Sequence, residues 1–481
     1  MLTILDAIRD PKLFAPWFRV RESWRSWRVV LKAIFGLPMA DEDLAIFYRH
    51  TGRSRPPTSP FREVWLLIGR RGGKSFVAAL VAAYLAAFRD YGDVLAPGER
   101  GTLMVLAADR RQARTVFRYI DGLISGVPML RRMVESRTTE AIHLNNRISI
   151  EVHTASFRAV RGYTLIGVIA DEVAFWRDES TANPDAEIIA ALRPGMATVP
   201  GALLLGISSP YSRRGVLWEA HRKHYGQDDS DVLVWQADSA SMNPTIDPAV
   251  IARAYEEDEA SASAEYGAAF RRDIEGFASR EAIDAVVIPG RRELPPVEGV
   301  SYVGFCDPSG GASDSMTLAV AHRENGSTVL DLVREVRPPF SPEAVVEDFA
   351  DTLRRYRIGQ VRGDRYGAEW VAEAFRKAGI NYRPAAKAKS DLYREFLPAI
   401  NSQTVELLDH AKLIAQLCQL ERRTARGGRD SIDHPPRAHD DVANACAGAV
   451  QLVLGRGRAP QPCDLYGPGS YDDTEEGWIP I

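Results

Sequence analysis

The stretch from Trp65 to Phe88 reads "WLLIGRRGGKSFVAALVAAYLAAF". It joins a short apolar run, a glycine-rich turn ending in Lys-Ser, and a longer apolar run. The first run has the length of a buried strand and the second that of a helix. Gly72 and Gly73 permit close approach of the backbone to a ligand, and the N–H groups of a helix N-terminus attract anions. The pattern predicts a phosphate-binding loop in which Lys74 contacts nucleotide phosphates and Ser75 contacts Mg²⁺.

The loop departs from the common pattern of Gly, four residues, then Gly-Lys-Ser/Thr. Ile68 stands where the first glycine is expected, and Gly69 follows one residue later. Two arginines, Arg70 and Arg71, lie inside the loop. By itself, this stretch also fits a strand, a Gly-Gly turn and a helix that carries a surface lysine.

A second strand-like run, "LIGVIADEVAF", ends in two adjacent carboxylates, Asp171 and Glu172. An aspartate at the end of a strand in the same sheet can hold Mg²⁺, and a glutamate after it can orient and deprotonate a water molecule. An ordinary acidic turn is the alternative. Because the acidic pair and the loop occur together, the sequence predicts ATP hydrolysis.

Polar residues before and after the acidic strand extend this hypothesis. Arg158 and Arg161 precede the strand, and an arginine placed against a γ-phosphate stabilises the transition-state charge. Ser208 and Ser209 end a further apolar run, where a hydroxyl could sense the γ-phosphate. A surface position fits either arginine equally well, and the serines also fit a plain turn before Pro210.

The second half of the chain carries aspartates at predicted element ends. "YVGFCDPSGG" ends a strand in Asp307, "VRGDRYGAEW" ends another in Asp364, and "HDDVANACAGAV" starts a helix with Asp440 and Asp441. Carboxylates suit Mg²⁺ or Mn²⁺, and two such ions ~4 Å apart can cleave a phosphodiester. Each aspartate alone also fits a turn or a helix cap. The order of hairpin meander, acidic strand and acidic helix predicts an RNase H-like nuclease with a mixed sheet.

Composition restricts the partners. The net charge of −4 and the pI of about 6.2 confine any nucleic-acid surface to a local patch. Such a patch is predicted from Arg383 to Arg429, with nine Lys/Arg against five Asp/Glu, although a solvated helix face fits equally well.

The four cysteines are widely separated, which argues against a disulfide framework. The longest apolar stretch, Phe76 to Phe88, is too short to span a bilayer, so no membrane partner is expected.

In this order, "GRRGGKS", "VIADE", Ser-Ser-Pro, "GFCDPSGG", "VRGDRYGAEW" and "HDDVANA" resemble the large terminase subunit of tailed bacteriophages or prophages, over roughly residues 62–454. Phosphate loops of this family often lack the first glycine and carry an arginine near the second loop position, here Arg70. The resemblance implies a motor subunit that hydrolyses ATP to move double-stranded DNA into a procapsid and cuts concatemeric DNA with a two-metal nuclease.

The resemblance also implies partners and site residues. ATP and Mg²⁺ would be the cofactors, with Mn²⁺ able to substitute in the nuclease. The partners would be a small terminase subunit, the portal protein and further copies in a ring, in the cytoplasm of a bacterial host and transiently on the procapsid. Nucleotide-binding residues would be Arg70, Gly72, Gly73, Lys74, Ser75, Asp171 and Ser208. Catalytic residues would be Glu172, Arg161 as a finger on a neighbour's ATP, Asp307, Asp364 and Asp441.

At the third nuclease acid the chain departs from the family. Some relatives have a further aspartate one helical turn on, where this chain has Asn444. The metal ligands would therefore be Asp307, Asp364 and one of Asp440 and Asp441, and we favour Asp441.

We predict an α/β protein with two domains, an ASCE-type P-loop ATPase with a parallel sheet followed by an RNase H-like nuclease with a mixed sheet. The predicted parts are an N-terminal helical segment (1–61), the ATPase domain (62–275), a linker (276–299), the nuclease domain (300–457) and an acidic tail (458–481). The alternative is a DNA helicase or repair translocase with an RNase H-like appendage. A helicase requires arginine-bearing motifs in a second RecA-like domain, whereas acidic strand ends follow Pro289.

Overall fold

The computed structural model describes residues 2–156, 160–176, 184–312, 314–365, 368–424, 430–436 and 438–456. The chain divides into two compact units. The first comprises residues 1–276 and 421–431, and the second comprises 277–420 and the chain from 432 onward. Two features considered above, Arg158 and the acidic tail, lie outside the described residues.

The helices of the first unit are α1 (Ile4–Arg9), α2 (Arg25–Ile34), α3 (Asp41–Thr51), α4 (Lys74–Phe88), α5 (Arg110–Gly126), α6 (Pro128–Arg131), α7 (Pro184–Ala197), α8 (Val216–His224), α9 (Ser239–Met242), α10 (Pro248–Glu257) and α11 (Glu259–Glu265). Its strands, up to the boundary with the second unit, are β1 (Glu63–Ile68), β2 (Gly101–Ala107), β3 (Val134–Arg137), β4 (Ala141–Leu144), β5 (Ile148–Thr154), β6 (Thr164–Asp171), β7 (Leu203–Ser208), β8 (Val232–Ala237) and β9 (Ile274–Gly276). Short 3₁₀ helices cover Ala15–Trp17, Arg21–Trp24 and Val173–Phe175.

Eight strands form the sheet of the first unit, in the order β3-β4-β5-β2-β6-β7-β1-β8. From β5 to β8 every neighbouring pair is parallel. Strand β7 separates β1, which leads into the glycine-rich loop, from β6, which ends in the acidic pair. This additional strand is the arrangement that defines the ASCE class. The predicted ATPase fold is therefore confirmed, including the strands β1, β2, β5, β6 and β7.

Sequence analysis did not identify β3, β4 or β8. Strands β3 and β4 have four residues each and pair antiparallel as a hairpin at the sheet edge. Strand β8 is a short apolar run, and such runs have no periodicity that separates strand from helix. The formation of each of these three strands depends on pairing with a neighbouring strand, and the local sequence does not specify that neighbour.

The parallel register brings the polar ends of three strands to one edge. Asp171 of β6 lies beside Ile207 of β7, and Ser208 lies beside Leu67 of β1. Carboxyl ends of parallel strands meet at the same edge of a sheet, where α/β proteins bind ligands. The glycine-rich loop, the acidic pair and the serines therefore share this edge.

The segment before Arg62 belongs to the core of the first unit. Ile4, Trp27 and Phe47 are buried within the same apolar cluster as β1 and α4. The apolar faces of α1, α2 and α3 cover this unit, which explains why residues 1–61 do not form a separate body.

The remaining elements are α12 (Arg280–Asp284), β10 (Val287–Ile288), β11 (Tyr302–Asp307), β12 (Met316–Glu324), β13 (Ser327–Val336), α13 (Pro342–Arg355), β14 (Gln360–Gly363), α14 (Ala368–Lys377), β15 (Asn381–Pro384), α15 (Lys389–Asn401), β16 (Val405–Leu408), α16 (Ala411–Gln419), β17 (Glu421–Thr424), β18 (Asp430–Asp433) and α17 (Asp441–Arg456).

The second unit contains a mixed sheet in the order β10-β16-β13-β12-β11-β14-β15. Strand β12 runs antiparallel to β11 and β13, whereas β14 runs parallel to β11. This meander followed by parallel strands is the RNase H-like arrangement, as predicted. Helix α17 packs closely on the sheet at Gly448, where an added Cβ would lie 2.3 Å from the ring of Phe305. Only glycine fits at that contact.

The unit boundary differs from the predicted linker. Within residues 276–299, α12 and β10 belong to the second unit, and β10 pairs parallel with β16. Conversely, residues 421–431 return to the first unit, where β17 pairs antiparallel with β9. Composition indicated the Pro- and Gly-rich turn around residues 289–299, but it carries no information on which distant strand a segment pairs with.

The returning segment is anchored by a buried carboxylate. Glu421 has no exposed surface and accepts hydrogen bonds from the Tyr211 hydroxyl at 2.9 Å and from Arg214 and Arg423 at 3.1 Å each. A buried charge requires such paired donors. Tyr211 and Arg214 belong to the loop after β7. This loop therefore anchors a segment that follows it much later in the sequence.

We expect Glu421→Ala to lower the free energy of unfolding of the first unit by ~1–3 kcal/mol, because the Tyr211 hydroxyl and two partly exposed arginines lose their common acceptor. Urea unfolding monitored by tryptophan fluorescence measures this, since Trp65 and Trp235 are buried in that unit. Glu275→Ala, at an exposed neighbouring position on β9, is the matched control. Equal effects of the two substitutions would contradict the anchoring role.

Candidate functional site

The glycine-rich loop is a tight turn between β1 and α4. Gly73 has φ 94° and Arg71 has φ 63°, both left-handed conformations. A Cβ at Gly73 would also lie 3.1 Å from the indole nitrogen of Trp27. Glycine is therefore required immediately before Lys74, at the N-terminus of a 15-residue helix.

Surrounding side chains hold the loop in place. Trp27 donates from Nε1 to the Gly72 carbonyl at 2.8 Å, and Ser239 donates from Oγ to the Arg70 carbonyl at 2.6 Å. Asn243 donates to the carbonyl of Arg71 at 2.9 Å. These bonds fix the loop before any ligand binds, which lowers the cost of ordering a phosphate-binding site.

The charged end of Arg70 contacts another part of the protein, although the side chain is partly exposed to solvent. Its guanidinium lies 3.0 Å from Oε1 of Glu265, and its backbone N–H donates to the Glu265 carbonyl at 2.5 Å. More than half of the Arg70 side chain is exposed. In this arrangement Arg70 ties the loop to the end of α11, and its predicted contact with nucleotide stays a prediction.

Lys74 and Glu172 form an ion pair at the carboxyl edge of the sheet, in which Lys74 is buried and Glu172 is about one-quarter exposed. The Lys74 Nζ lies 3.0 Å from Oε1 of Glu172 and donates to Oγ of Ser209 at 3.1 Å. Oε2 of Glu172 accepts from Oγ of Ser208 at 3.2 Å. The structure thus brings together Lys74, Glu172 and Ser208, which sequence analysis selected separately.

Glu172 is held in a strained backbone conformation. Its φ is 49°, in the left-handed region that favours glycine, and its N–H donates to the Ile207 carbonyl at 2.8 Å. Non-glycine residues in this region cluster at functional sites because the surrounding structure must enforce them. In this conformation the Glu172 carboxylate contacts Lys74 at the start of α4 and Ser208 at the end of β7.

Asp171 is buried and carries an unsatisfied oxygen. Burial, followed by the neighbouring Glu172 charge, raises the Asp171 pKa to about 7, while Lys74 opposes the shift. Within the described part of the chain, Asp171 Oδ1 has no hydrogen-bond partner. A buried carboxylate oxygen without a donor fits a cation ligand. Asp171, with Ser75 at the start of α4, could hold the Mg²⁺ of a bound nucleotide.

Arg161 lies exposed in the turn before β6. Its side chain is on the protein surface, which is compatible with a role toward a second copy of the chain.

The nuclease candidates converge in the second unit. Asp307 ends β11, Asp364 follows β14, and Asp441 begins α17; all three line one cleft of about 310 Å³. Parallel pairing of β11 with β14 places the first two side by side. Asn444 bridges them, donating from Nδ2 to Asp307 Oδ2 at 3.0 Å and to Asp364 Oδ2 at 3.3 Å.

The cleft accumulates negative charge. Burial raises the Asp307 pKa well above its usual value; the hydrogen bond from Asn444 opposes this, and the charges of Asp441 and Asp364 add to it. Burial and then the charge of Asp440 raise the Asp441 pKa to about 6. A divalent cation would relieve this repulsion, and hard carboxylate oxygens are its preferred ligands. The residues present therefore fit Mg²⁺ or Mn²⁺.

The neighbours Asp440 and Asp441 differ in their partners. Oδ2 of Asp440 accepts from the Tyr393 hydroxyl at 2.8 Å and lies 3.1 Å from Nζ of Lys389. Asp441 is less buried, and its Oδ2 accepts from the Ser315 backbone N–H at a longer 3.3 Å. Asp440 is thus bound internally, which supports Asp441 as the third metal ligand.

Lys389 also forms ion pairs with a second acidic group, which comprises Asp433, His434 and Asp440. Asp433, His434 and Asp440 have a spacing that could hold a metal ion. However, Nζ of Lys389 lies 2.7 Å from Asp433 and 3.1 Å from Asp440. This ammonium already supplies the positive charge that the group requires.

Several site residues were missed by sequence analysis. They share the property of lying far along the chain from the motifs they support, and they are Trp27, Glu265, Lys389 and Tyr393. A tryptophan or lysine on an amphipathic helix has no local signal that separates this role from ordinary packing. Asn444 was noted only as a departure from a family pattern.

Comparison with known proteins gives matches among solved structures only. No family model matches the chain, and no curated protein matches it. The chain is similar to large terminases of bacteriophages. The HK97 bacteriophage large terminase is 15% identical over 89% of this chain and 99% of its own, with a TM-score of 0.39. The large terminase of the thermophilic bacteriophage D6E is 14% identical over 90% of this chain and 99% of its own, with a TM-score of 0.39.

The large terminase nuclease of thermophilic phage G20c matches 35% of this chain and 95% of its own, at 16% identity and a TM-score of 0.32. Other matches are the D6E large terminase in complex with ADP or ATP-γ-S and the G20c nuclease with bound magnesium. Among the described helices, none combines the length and the apolar character needed to span a bilayer.

The raised pKa of Asp441 makes stability depend on pH in the absence of metal. The folded-state pKa of about 6 lies above the ordinary 3.8, so the folded protein retains a proton that the unfolded chain loses between these values. Stability from this group is present at low pH and is lost as pH rises through about 6.

We therefore expect Asp441→Asn to stabilise the metal-free protein at pH 7.5 by about 3 kcal/mol at most, from two pKa units at 1.36 kcal/mol each. The difference in stability between Asp441→Asn and the wild type should approach zero below pH 4. Thermal melts in EDTA at both pH values measure it, with exposed Asp348→Asn on α13 as the control. A pH-independent difference between Asp441→Asn and the wild type would refute the raised pKa assigned to Asp441.

Proposed function

We propose that this chain is the large subunit of a viral DNA-packaging motor, with an ATPase in the first unit and a metal-dependent endodeoxyribonuclease in the second. The observation that carries the proposal is the presence of both sites on one chain. The Lys74–Glu172 pair lies at the carboxyl edge of an ASCE sheet, and an aspartate cleft lies in an RNase H-like sheet. A motor that moves and cuts DNA requires both activities.

In the ATPase, Lys74 would exchange its ion pair with Glu172 for contact with the phosphates of a bound nucleotide. Phosphate oxygens that attract Lys74 would release the Glu172 carboxylate, 3.0 Å away, to accept a proton from water. Bound Mg²⁺ would neutralise charge on the phosphates. Gly72, Gly73 and the start of α4 would contact the phosphates, and Asp171 and Ser75 would hold the ion. Ser208, the last residue of β7, would report the state of the site to that strand through its hydrogen bond to Glu172.

In the nuclease, Asp307, Asp364 and Asp441 would hold the metal ions. Bound divalent ions activate water and stabilise the leaving oxygen of a phosphodiester. Asp440, fixed by Lys389 and Tyr393, would orient the start of α17 and so position Asp441. Double-stranded DNA is the substrate in this proposal, and exposed basic residues of the segment 383–429, Arg383 among them, would contact its backbone.

The proposal includes the partners implied by the terminase resemblance. The chain would assemble as a ring on the portal of a procapsid, receive DNA through a small terminase subunit, and act in the cytoplasm of a bacterial host. The alternative of a helicase requires a second RecA-like sheet, whereas the described second unit has the antiparallel meander β11-β12-β13. That difference favours a packaging motor.

Two substitutions separate the proposed activities. Lys74→Ala should abolish DNA-stimulated ATP hydrolysis and leave Mn²⁺-dependent plasmid cleavage intact, because the loop lies in the first unit. Asp307→Asn should do the reverse. Phosphate release and gel assays measure the two activities, with exposed Lys223→Ala and Asp348→Asn as charge-matched controls. Loss of both activities from either single substitution in a folded protein would contradict two independent sites.

Arg161 provides a test of ring assembly. If Arg161 acts on the ATP of a neighbouring subunit, Arg161→Ala and Lys74→Ala should each be inactive, and their mixture should regain part of the ATPase activity. Arginine fingers contribute ~10³–10⁵ in rate, so even partial rescue is measurable. The absence of rescue in a mixture shown to assemble would exclude action between subunits.

A further inference from the structure

Asn444 lines the acidic cleft and has a buried oxygen without a hydrogen-bond partner among the described residues. It lies one helical turn into α17 and is 1% exposed. Its Nδ2 contacts the carboxylates of Asp307 and Asp364 at 3.0 and 3.3 Å. Among the described residues, its Oδ1 has no hydrogen-bond partner and is buried. The amide nitrogen therefore donates two hydrogen bonds, and the amide oxygen accepts none from the described residues.

A buried acceptor without a partner costs ~1–3 kcal/mol. Natural proteins rarely keep such groups unless a ligand or water completes them. The Asn444 carbonyl oxygen is the kind of neutral oxygen that Mg²⁺, Mn²⁺ and Ca²⁺ accept as a ligand. The cleft around it, lined by Asp307, Asp364 and Asp441, is the part of the second unit that attracts a cation.

The two ends of an asparagine amide exchange places when χ2 turns by about 180°, a soft torsion with two broad minima. This rotation leaves the backbone of Asn444 in place. The Asn444 N–H stays hydrogen-bonded to the Asp440 carbonyl at 2.7 Å. With carboxylates alone in the cleft, the amide nitrogen is favoured toward Asp307 and Asp364. With a cation bound in the cleft, the oxygen would be favoured.

We propose that Asn444 is an additional ligand of the nuclease metal, whose amide turns on binding from donating to Asp307 and Asp364 to presenting Oδ1 to the ion. This inference rests on the proposed metal nuclease. In the metal-free protein the amide nitrogen stands in for the cation and holds the two carboxylates together. In the metal-bound protein a neutral ligand limits the negative charge of the site and hence its affinity.

Calorimetric titration of the full-length protein with Mn²⁺, without nucleotide, tests the proposal independently of catalysis. Subtracting the titration of Asp307→Asn isolates the heat of the cleft from other binding. Asn444→Ala removes the ligand, and its Mn²⁺ affinity should fall about 10-fold or more. Asn444→Asp supplies an anionic oxygen and should bind Mn²⁺ about 10-fold or more tightly than the wild type. Exposed Asn401→Asp adds the same charge elsewhere and should leave the affinity unchanged.

Thermal melts provide the second readout. In EDTA, Asn444→Asp should melt below the wild type because it adds a carboxylate and removes the donor. Saturating Mn²⁺ should raise its melting temperature more than that of the wild type. Asn444→Asp that folds only with Mn²⁺ would agree with the proposal.

Wild-type affinity in folded Asn444→Ala, or Asn444→Asp that binds Mn²⁺ no more tightly than the wild type, would overturn the role of Asn444. Either result would leave the nuclease proposal standing. A wild-type protein whose titration matches that of Asp307→Asn would instead overturn the metal site itself, and with it both proposals.

Discussion

The direction of a few strands decides where the chemistry of this protein lies. In the first unit β1, β6 and β7 run parallel, so the loop with Lys74, the acidic end of β6 and the serines after β7 come to one edge. In the second unit β11 and β14 run parallel, which places Asp307 beside Asp364. An antiparallel arrangement of either pair would separate these groups by the length of a strand. The contacts that follow, from Lys74 to Glu172 and from Asn444 to the aspartates, depend on this common edge.

In both candidate sites a nitrogen donor of the protein itself binds acidic groups. The ammonium of Lys74 pairs with Glu172, and the amide of Asn444 bridges Asp307 and Asp364. Each arrangement lowers the cost of holding acidic groups out of water before a ligand binds. In the same two sites burial raises the pKa of Asp171 to about 7 and that of Asp441 to about 6, so these neighbouring carboxyl groups are costly to ionise. Such residual destabilisation is typical of functional sites, where stability is lost in favour of ligand binding.

The end of β7 also has a structural role beyond the ATPase edge. Two residues after Ser209, Tyr211 donates to the buried Glu421, the first residue of the segment that returns to the first unit, and its ring lies 5.3 Å from that of Phe175. Phe175 belongs to the short 3₁₀ helix after Glu172. The loop after β7 therefore contacts both the acidic-pair region and the returning segment, within one packed unit.

The sequence by itself determined the local elements: the strand–loop–helix around Lys74, the acidic ends of β6, β11 and β14, and the two sheet types. These follow from apolar periodicity, glycine positions and strand-end carboxylates, which are properties of neighbouring residues. Only the tertiary structure distinguished Asp440 from Asp441, because the partner that binds Asp440 is Lys389, 51 residues away. It alone placed residues 421–431 in the first unit and turned Asn444 toward two aspartates. Those outcomes depend on packing between segments distant in sequence, for which periodicity and composition carry no signal.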